Sequence, residues 1–154
     1  MRVYNINKFQ LCEELKARDY LNLVVYIYME IRELLPKNKF DNSNINRLFL
    51  LTDEEIKPII YELLEWTQDY NWPITKEIIP VLLEREDLIF PYIREILQSN
   101  DEEWIYWVIK LLLPSFSASH KNMLKDEIVR LTNSSEEDYK EIALEFCHTY
   151  FNDL

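Results

Sequence analysis

Residues 101–113 read DEEWIYWVIKLLL, and this segment indicates the structural class of the whole chain. Three acidic residues come first, and apolar side chains then recur at every third or fourth position, at Trp104, Trp107, Val108, Leu111 and Leu112. Carboxylates are stabilised near the positive N-terminus of a helix, and apolar residues at this spacing share one helix face. The segment therefore predicts an amphipathic helix that begins after Asp101.

The same apolar spacing returns 35 residues later in the chain, at Tyr139, Ile142, Ala143, Phe146 and Cys147. A shorter match relates residues 69–72 to residues 101–104, with an offset of 32 residues. Helix pairs that recur at a period of roughly 30 to 45 residues are typical of HEAT-like solenoids. We therefore predict an all-α chain that forms an α-α superhelix of about three HEAT-like helix pairs, with an irregular helical bundle as the competing arrangement.

Capping residues mark where the helices of this repeat region begin. Thr52 followed by Glu55 is a reciprocal capping box, and Pro73 suits the first turn of a helix. Asp87, Asp101 and Ser117 can each act as an N-cap. The predicted helix pairs span residues 53–84, 88–113 and 118–151. Their helices are expected at residues 53–68, 73–84, 88–98, 102–113, 118–132 and 136–151, the last one capped by Ser134 or Ser135.

The first part of the chain is predicted to form an N-terminal helical cap. Helices are expected at residues 7–17 and 19–35, broken near Ala17, Arg18 and Asp19, with a polar connection at residues 37–44. We predict a single domain over residues 1–154, in which residues 1–36 are this cap and residues 37–154 are the repeat region.

Composition excludes several classes of enzyme. The chain has no glycine, so it cannot contain the phosphate-binding loop, the dinucleotide-binding turn or the nucleophile elbow. Cys12 and Cys147 are its only cysteines and indicate neither a disulfide framework nor a zinc site. Glu145 and His148 have the Glu-x-x-His spacing of di-iron bundles, but the second copy that such a site needs is missing. We predict no catalytic residues, no metal and no cofactor.

The charge of the chain restricts its partners. The net charge is -11, and residues 41–154 carry 23 acidic against 10 basic side chains. Such a surface repels nucleic acid, whereas it accelerates the encounter with a basic protein, although solubility alone also explains an acidic surplus. The apolar runs at residues 21–29 and 105–113 are shorter than the roughly 20 residues that span a membrane. We expect a cytoplasmic protein that binds neither nucleic acid nor membranes.

Acidic helix starts suggest a partner-binding edge. If the helix pairs stack in register, the acidic groups at residues 101–103 and 136–138 lie on the same edge. Aromatic residues lie among these carboxylates, as in a protein-binding hot spot. The predicted binding residues are Asp101, Glu102, Glu103, Trp104, Tyr106 and Tyr139. We predict a non-enzymatic interaction module that binds a basic protein such as a toxin, with ordinary helix capping as the other explanation of these carboxylates.

The hairpin from Trp66 to Pro73 provides an alternative site. Trp66, Asp69, Asn71 and Trp72 could line a pocket for a small ligand or for an enzymatic reaction. In the structural explanation, both tryptophans pack across the hairpin while Asp69 or Asn71 caps backbone N–H groups.

Three strings in the chain resemble a bacterial family. They are LLPKNKFD at residues 34–41, ELLEWTQDYNWP at residues 62–73 and WIYW at residues 104–107. They resemble the bacterial domain of unknown function 5071 over about residues 34–150. The resemblance implies an α-α superhelical domain with no established activity. It leads us to expect a small residue in the turn after the second repeat helix, where this chain has Arg85-Glu86-Asp87.

Overall fold

The computed structural model describes residues 8–135 and 137–151. Over these ranges the chain forms ten α-helices, two short 3₁₀ turns and no strand, which confirms the predicted all-α class. The helices are α1 Lys8–Arg32, α2 Ile45–Leu50, α3 Asp53–Ile56, α4 Ile60–Glu65, α5 Pro73–Leu83, α6 Glu86–Leu97, α7 Glu102–Leu111, α8 Ala118–Met123, α9 Lys125–Leu131 and α10 Glu137–Tyr150. The chain divides into two compact units, Met1–Glu33 and Leu34–Leu154. The single domain and the superhelical path stay predictions.

The first unit contains α1, which is one continuous helix where the sequence analysis predicted two. The predicted break near Ala17, Arg18 and Asp19 is wrong. Alanine and arginine are strong helix formers, and a single aspartate costs well under about 1 kcal/mol inside a helix. Asn7, at the predicted start, lies outside the described residues.

Four helix starts of the second unit follow the predicted signals, namely those of α3, α5, α7 and α8. Thr52 and Glu55 form the reciprocal capping box, in which the Glu55 N–H donates to the Thr52 hydroxyl at 3.3 Å and the Thr52 N–H donates to the Glu55 carboxylate at 2.8 Å. The hydrogen bonds from Thr52 lower the pKa of the Glu55 carboxyl below its ordinary value. Asp101 caps α7, Ser117 caps α8, and α5 begins at Pro73 as predicted.

Several predicted helix boundaries differ from the structure. The predicted helix over residues 53–68 is α3, a 3₁₀ turn and α4, because Pro58 has no N–H to donate inside a helix. Asp87 is not an N-cap, since α6 already begins at Glu86. The predicted helix over residues 118–132 is divided at Leu124 into α8 and α9. Glu136, at the predicted start of the last helix, lies outside the described residues.

Helices that follow each other along the chain pack against each other in the second unit. The contacting pairs are α4 with α5, α6 with α7, and α9 with α10; α6 also contacts α4 and α9, and α7 contacts α10. The two apolar stripes related by 35 residues reach similar burial, since Val108 and its counterpart Ala143 are buried, as are Leu112 and Cys147. The contact between α7 and α10 places the two helices side by side.

Arg85 is buried in the turn where the family resemblance led us to expect a small residue. Its side chain is only 5% exposed. Its Nη2 lies 3.2 Å from the carbonyl oxygen of Leu48, 3.3 Å from that of Phe49 and 2.7 Å from that of Leu51. Its Nη1 donates to the carbonyl of Val81 at 2.9 Å. The guanidinium therefore joins the C-terminal end of α2 to the connection between α5 and α6.

Candidate functional site

A groove lies between α7 and α10, and we call it the α7–α10 groove. Its volume is about 570 Å³. Its lining residues are Glu102, Glu103, Tyr106, Trp107 and Glu141. The cavity thus combines two aromatic rings with carboxylates from both of the helices that border it.

The helical repeat explains why the α7 residues of the groove share one face. Glu102 and Tyr106 are four residues apart, as are Glu103 and Trp107, and side chains at this spacing are neighbours on a helix. The opposite face of α7 carries buried side chains, Trp104, Ile105, Val108 and Ile109, which hold the helix in the core. Glu141 comes from α10, which packs beside α7.

The two aromatic rings of the groove are held by neighbouring side chains. The rings of Tyr106 and Trp107 meet edge to face, with centroids 5.0 Å apart and an interplanar angle of 82°. Tyr70 lies on Trp107 with a centroid distance of 5.7 Å and an angle of 34°. The Lys110 ammonium donates to the Tyr106 hydroxyl at 2.6 Å and lies 5.7 Å from the Trp107 centroid. The hydrogen bond to Tyr106 raises the pKa of Lys110, which favours its charged form.

The groove carboxylates have no basic partner within the described part of the chain. Ion pairs there involve other acidic residues, such as Glu127 with Arg94 at 2.8 Å and Glu137 with Lys140 at 3.5 Å. None of them includes Glu102, Glu103 or Glu141. Lys110 places one ammonium against the rings of this groove, so the negative potential of the three carboxylates is reduced but not cancelled.

The structure brings three of the predicted binding residues together, namely Glu102, Glu103 and Tyr106. Asp101 accepts a hydrogen bond from the Trp104 N–H at 3.0 Å, so its carboxylate acts as the helix cap. Trp104 is 6% exposed, and its indole N–H donates to the Thr67 hydroxyl at 3.0 Å. The Trp104 ring therefore belongs to the core and offers little surface to a partner.

One predicted binding residue lies outside the groove, and two residues that line the groove were not predicted. Tyr139 is half-buried, its hydroxyl lies 2.7 Å from that of Ser134, and it does not line the groove. Sequence reasoning missed Trp107 because it was assigned to the apolar stripe of the repeat. It missed Glu141 because only the pairing of α10 with α7 places that carboxylate opposite the α7 residues.

A second cavity, the tryptophan pocket, lies at the hairpin that the sequence analysis named as the alternative site. The rings of Trp66 and Trp72 meet edge to face at 5.6 Å and 71°. The pocket has a volume of about 330 Å³. Its lining residues are Leu35, Pro36, Glu62, Glu65, Trp66, Gln68 and Trp72. Asp69 and Asn71, the other two predicted residues, are not among them.

Backbone hydrogen bonds explain the shape of this hairpin. The Thr75 hydroxyl lies 2.6 Å from the carbonyl oxygen of Trp66 and 2.9 Å from that of Asp69. The Asp69 carboxylate accepts the Asn71 N–H at 2.7 Å. Asp69 and Asn71 thus stabilise the turn, as the structural explanation expected, while both tryptophans stay half-buried.

A polar cluster around Glu86 joins the start of α6 to the start of α8. One Glu86 carboxylate oxygen accepts the Ser117 N–H at 2.7 Å and the Ser117 hydroxyl at 2.8 Å, and lies 2.6 Å from His120 Nδ1. Burial acts to raise the pKa of Glu86, but the hydrogen bonds from Ser117 and His120 outweigh it and lower the pKa below its ordinary value. His120 also stacks on Phe90 at 4.2 Å. The cluster therefore connects two helix starts.

The described part of the chain contains neither a metal-binding cluster nor a membrane-spanning helix. Within residues 8–135 and 137–151, no group of three or more His, Cys, Asp or Glu side chains is arranged to hold a metal ion. In the same ranges, no helix is both long enough and apolar enough to cross a bilayer.

Comparison with known proteins identifies the family of this chain. The family model described as Domain of unknown function (DUF5071) matches residues 34–149. The match includes α2 to α9 and nearly all of α10, and therefore both cavities, whereas α1 precedes it. No curated protein matches the chain.

Proposed function

The chain belongs to the family described as Domain of unknown function (DUF5071), and we propose that it acts as a non-enzymatic module that binds another protein. The proposed binding surface is the α7–α10 groove, and the proposed ligand is a basic segment of the partner. The observation that carries the proposal is the set of carboxylates without local basic partners, Glu102, Glu103 and Glu141, around the Tyr106–Trp107 ring pair.

Electrostatics favours a cationic occupant. A cation near an aromatic face gains about 0.5 to 1 kcal/mol at an exposed site, and nearby carboxylates add further attraction. The net charge of -11 also steers basic partners toward this surface and repels nucleic acid. A basic protein segment therefore fits the groove better than a polyanion does.

The size of the groove favours side chains of a peptide. Pockets that hold small ligands usually measure about 300 to 1,000 Å³, and the groove falls inside this range. Such a volume accommodates one or two long side chains of an extended segment. The rest of the partner would lie on the exposed carboxylates, which set the rate of association more than the affinity.

Charge reversal with a matched control tests this proposal. The probe is a fluorescent peptide in which arginine and glycine alternate, and its binding is followed by anisotropy. Reversing Glu102, Glu103 and Glu141 together to lysine should weaken binding by about tenfold or more, since close charge pairs contribute roughly 1.5 kcal/mol or more. The control changes Glu54, Glu77 and Asp87 to lysine, which gives the same net charge.

The control is matched in its position on helices as well as in charge. Glu54 and Asp87 lie in first turns, as Glu102 and Glu103 do, while Glu77 and Glu141 lie inside longer helices. The control variant should bind the peptide within about threefold of the wild type. Equal losses in both variants would mean that only net charge matters, which would contradict a role for the groove.

Tyr106→Ala separates the aromatic contribution from charge. Tyr106 is half-buried and its ring contacts Trp107 by an edge, so its removal should lower the melting temperature only slightly. Loss of an aromatic anchor should speed dissociation of the peptide by about fivefold. Unchanged dissociation in a folded variant would exclude Tyr106 from the binding surface.

The tryptophan pocket supports a second candidate function, the binding of a small ligand. The observation in its favour is the cavity of about 330 Å³ that the half-buried rings of Trp66 and Trp72 line together with Glu62 and Glu65. A ligand there would change the fluorescence of Trp66 and Trp72, and Trp72→Leu would abolish that response. If no small ligand, including small organic cations, changes the fluorescence of Trp66 or Trp72, this candidate function is excluded.

A further inference from the structure

We infer that the α7–α10 groove selects arginine over lysine in its partner. The inference rests on the proposed function, because it specifies which basic side chain enters the groove. It depends on three features of the groove: the braced indole of Trp107, the carboxylates on two helices, and the ammonium of Lys110.

Trp107 offers a ring that is already held in place. Tyr70 lies against it at 5.7 Å and Tyr106 meets it edge to face at 5.0 Å, so its rotamer is fixed by packing. A binding surface that is ordered beforehand costs less entropy when the ligand arrives. The planar guanidinium of arginine stacks on such a ring, whereas the tetrahedral ammonium of lysine does not stack.

The carboxylates of the groove come from both of the helices that border it. Glu102 and Glu103 belong to α7, and Glu141 belongs to α10. Arginine has five N–H donors in a rigid fork and can donate to more than one carboxylate while its plane lies on an indole. Lysine brings its three donors to a single nitrogen, so it satisfies this arrangement less well.

Lys110 already supplies an ammonium to the groove aromatics. Its Nζ donates to the Tyr106 hydroxyl at 2.6 Å and lies 5.7 Å from the Trp107 centroid. A lysine from a partner would compete for the same hydroxyl oxygen and would meet a like charge nearby. A guanidinium on the indole meets the same like charge, because Lys110 lies over that ring, but it does not need the Tyr106 hydroxyl as an acceptor.

Hydration acts in the same direction. An ammonium is strongly hydrated, and its transfer into a groove with aromatic walls removes part of that water. A guanidinium is more weakly hydrated and loses less on the same transfer. The groove is lined by apolar rings as well as carboxylates, so this difference favours arginine.

The test compares two peptides that have the same length and charge. One alternates arginine with glycine, and the other has lysine at every arginine position. Calorimetric titration of the full chain at moderate salt should give a dissociation constant about fivefold to tenfold lower for the arginine peptide. Trp107→Leu should weaken both complexes and reduce the preference to about twofold or less.

Lys110→Met provides a second variant that does not depend on removing a packed ring. Lys110 is exposed, so the substitution should leave the fold intact, which circular dichroism checks. It should strengthen the lysine peptide by about threefold, because the competing ammonium is gone, and should change the arginine peptide less. The ratio of the two dissociation constants should therefore fall.

The outcomes separate the inference from the function on which it rests. Equal binding of the two peptides, or tighter binding of the lysine peptide, overturns the selectivity and leaves the proposed function standing. An unchanged ratio in Lys110→Met also overturns it, as does a preference that persists in folded Trp107→Leu. If neither peptide binds the wild type, the proposed function fails and the inference fails with it.

Discussion

Arg85→Met should lower the free energy of unfolding by about 1.5 to 3 kcal/mol, the range expected when a hydrogen-bond donor that carries a charge is removed from buried carbonyl groups. The side chain is 5% exposed and Nη2 lies within 3.3 Å of three carbonyl oxygens at the end of α2. Methionine has a similar length and fills the space, but it donates no hydrogen bond. The carbonyl group of Leu51 would lose the guanidinium as a donor, whereas that of Leu48 would keep the N–H of Leu51.

The magnitude follows from these contacts. A hydrogen bond to a charged group contributes about 1.5 to 3 kcal/mol, and a buried carbonyl left without a donor costs about 1 to 3 kcal/mol. Three of the four carbonyl contacts of Arg85 share Nη2, so their contributions are not additive. The variant also no longer buries a charge, so the total cost is smaller than the sum of the contacts. The ion pair with Asp53 adds little, since its 3.6 Å contact involves a carboxylate that is 65% exposed.

Urea denaturation followed by circular dichroism measures this loss. Arg85→Lys should cost about half as much, because an ammonium keeps the charge but cannot reproduce the planar fork. Arg47→Met is the matched control, since Arg47 is exposed on α2, and it should change stability by less than about 0.5 kcal/mol. If Arg85→Met is no more destabilising than Arg47→Met, the buried guanidinium does not stabilise the fold through the carbonyl groups of α2.

Three further predictions concern packing and pH. Trp66→Ala and Trp72→Ala should each cost about 2 to 3 kcal/mol in urea denaturation, less than a fully buried aromatic, and a variant that unfolds like the wild type would contradict their packing role. Thr67→Val should lower the free energy of unfolding by about 1 to 3 kcal/mol, because it leaves the buried indole N–H of Trp104 without its acceptor. If the double variant Trp104→Phe,Thr67→Val lost as much stability as the two single variants added together, the two side chains would not be coupled. Glu86 has a lowered pKa, so its contribution to stability is present above its ordinary value of 4.5 and is lost as pH falls through the folded-state pKa. The difference in unfolding free energy between the wild type and Glu86→Gln should therefore be constant near neutral pH and shrink in acid, and a difference that grows in acid would reverse the assignment.

Local signals in the sequence predicted the helix starts well. The capping box at Thr52 and the caps at Asp101 and Ser117 depend on side chains within three residues of the N–H groups they bind. Such short-range bonds are encoded by neighbouring residues and need no knowledge of the rest of the fold. The family resemblance, too, rested on contiguous strings and is confirmed by the match over residues 34–149.

Elements stabilised by distant contacts escaped the sequence analysis. The helix α2 was not predicted, because it has only six residues and follows a polar segment of asparagines. Its C-terminal carbonyl groups are bound by Arg85, which is more than 30 positions away in the chain. A helix this short is unstable alone, so tertiary contacts decide whether it forms.

The sequence predicted only one of the two sides of the α7–α10 groove, the proposed binding surface. Glu102, Glu103 and Tyr106 follow one another on α7, and helical spacing alone places them on a common face. Glu141 joins them only through the packing of α10 on α7, and the register of that packing depends on tertiary contacts. Trp104 was predicted to bind a partner because it follows the acidic helix start, but its side chain faces the core. Its indole N–H donates to the buried Thr67 hydroxyl, a contact between distant parts of the chain that helical spacing does not reveal.

The indole N–H signals in a nitrogen-15 correlation spectrum test the central claim most directly. The chain has four tryptophans, and replacing each by phenylalanine assigns each signal. On titration with the arginine peptide, the Trp107 signal should shift, while the signals of Trp66 and Trp72 should stay in place because those rings line the other cavity. A bound peptide that shifts Trp66 and Trp72 and leaves Trp107 unchanged would contradict the α7–α10 groove as the binding surface.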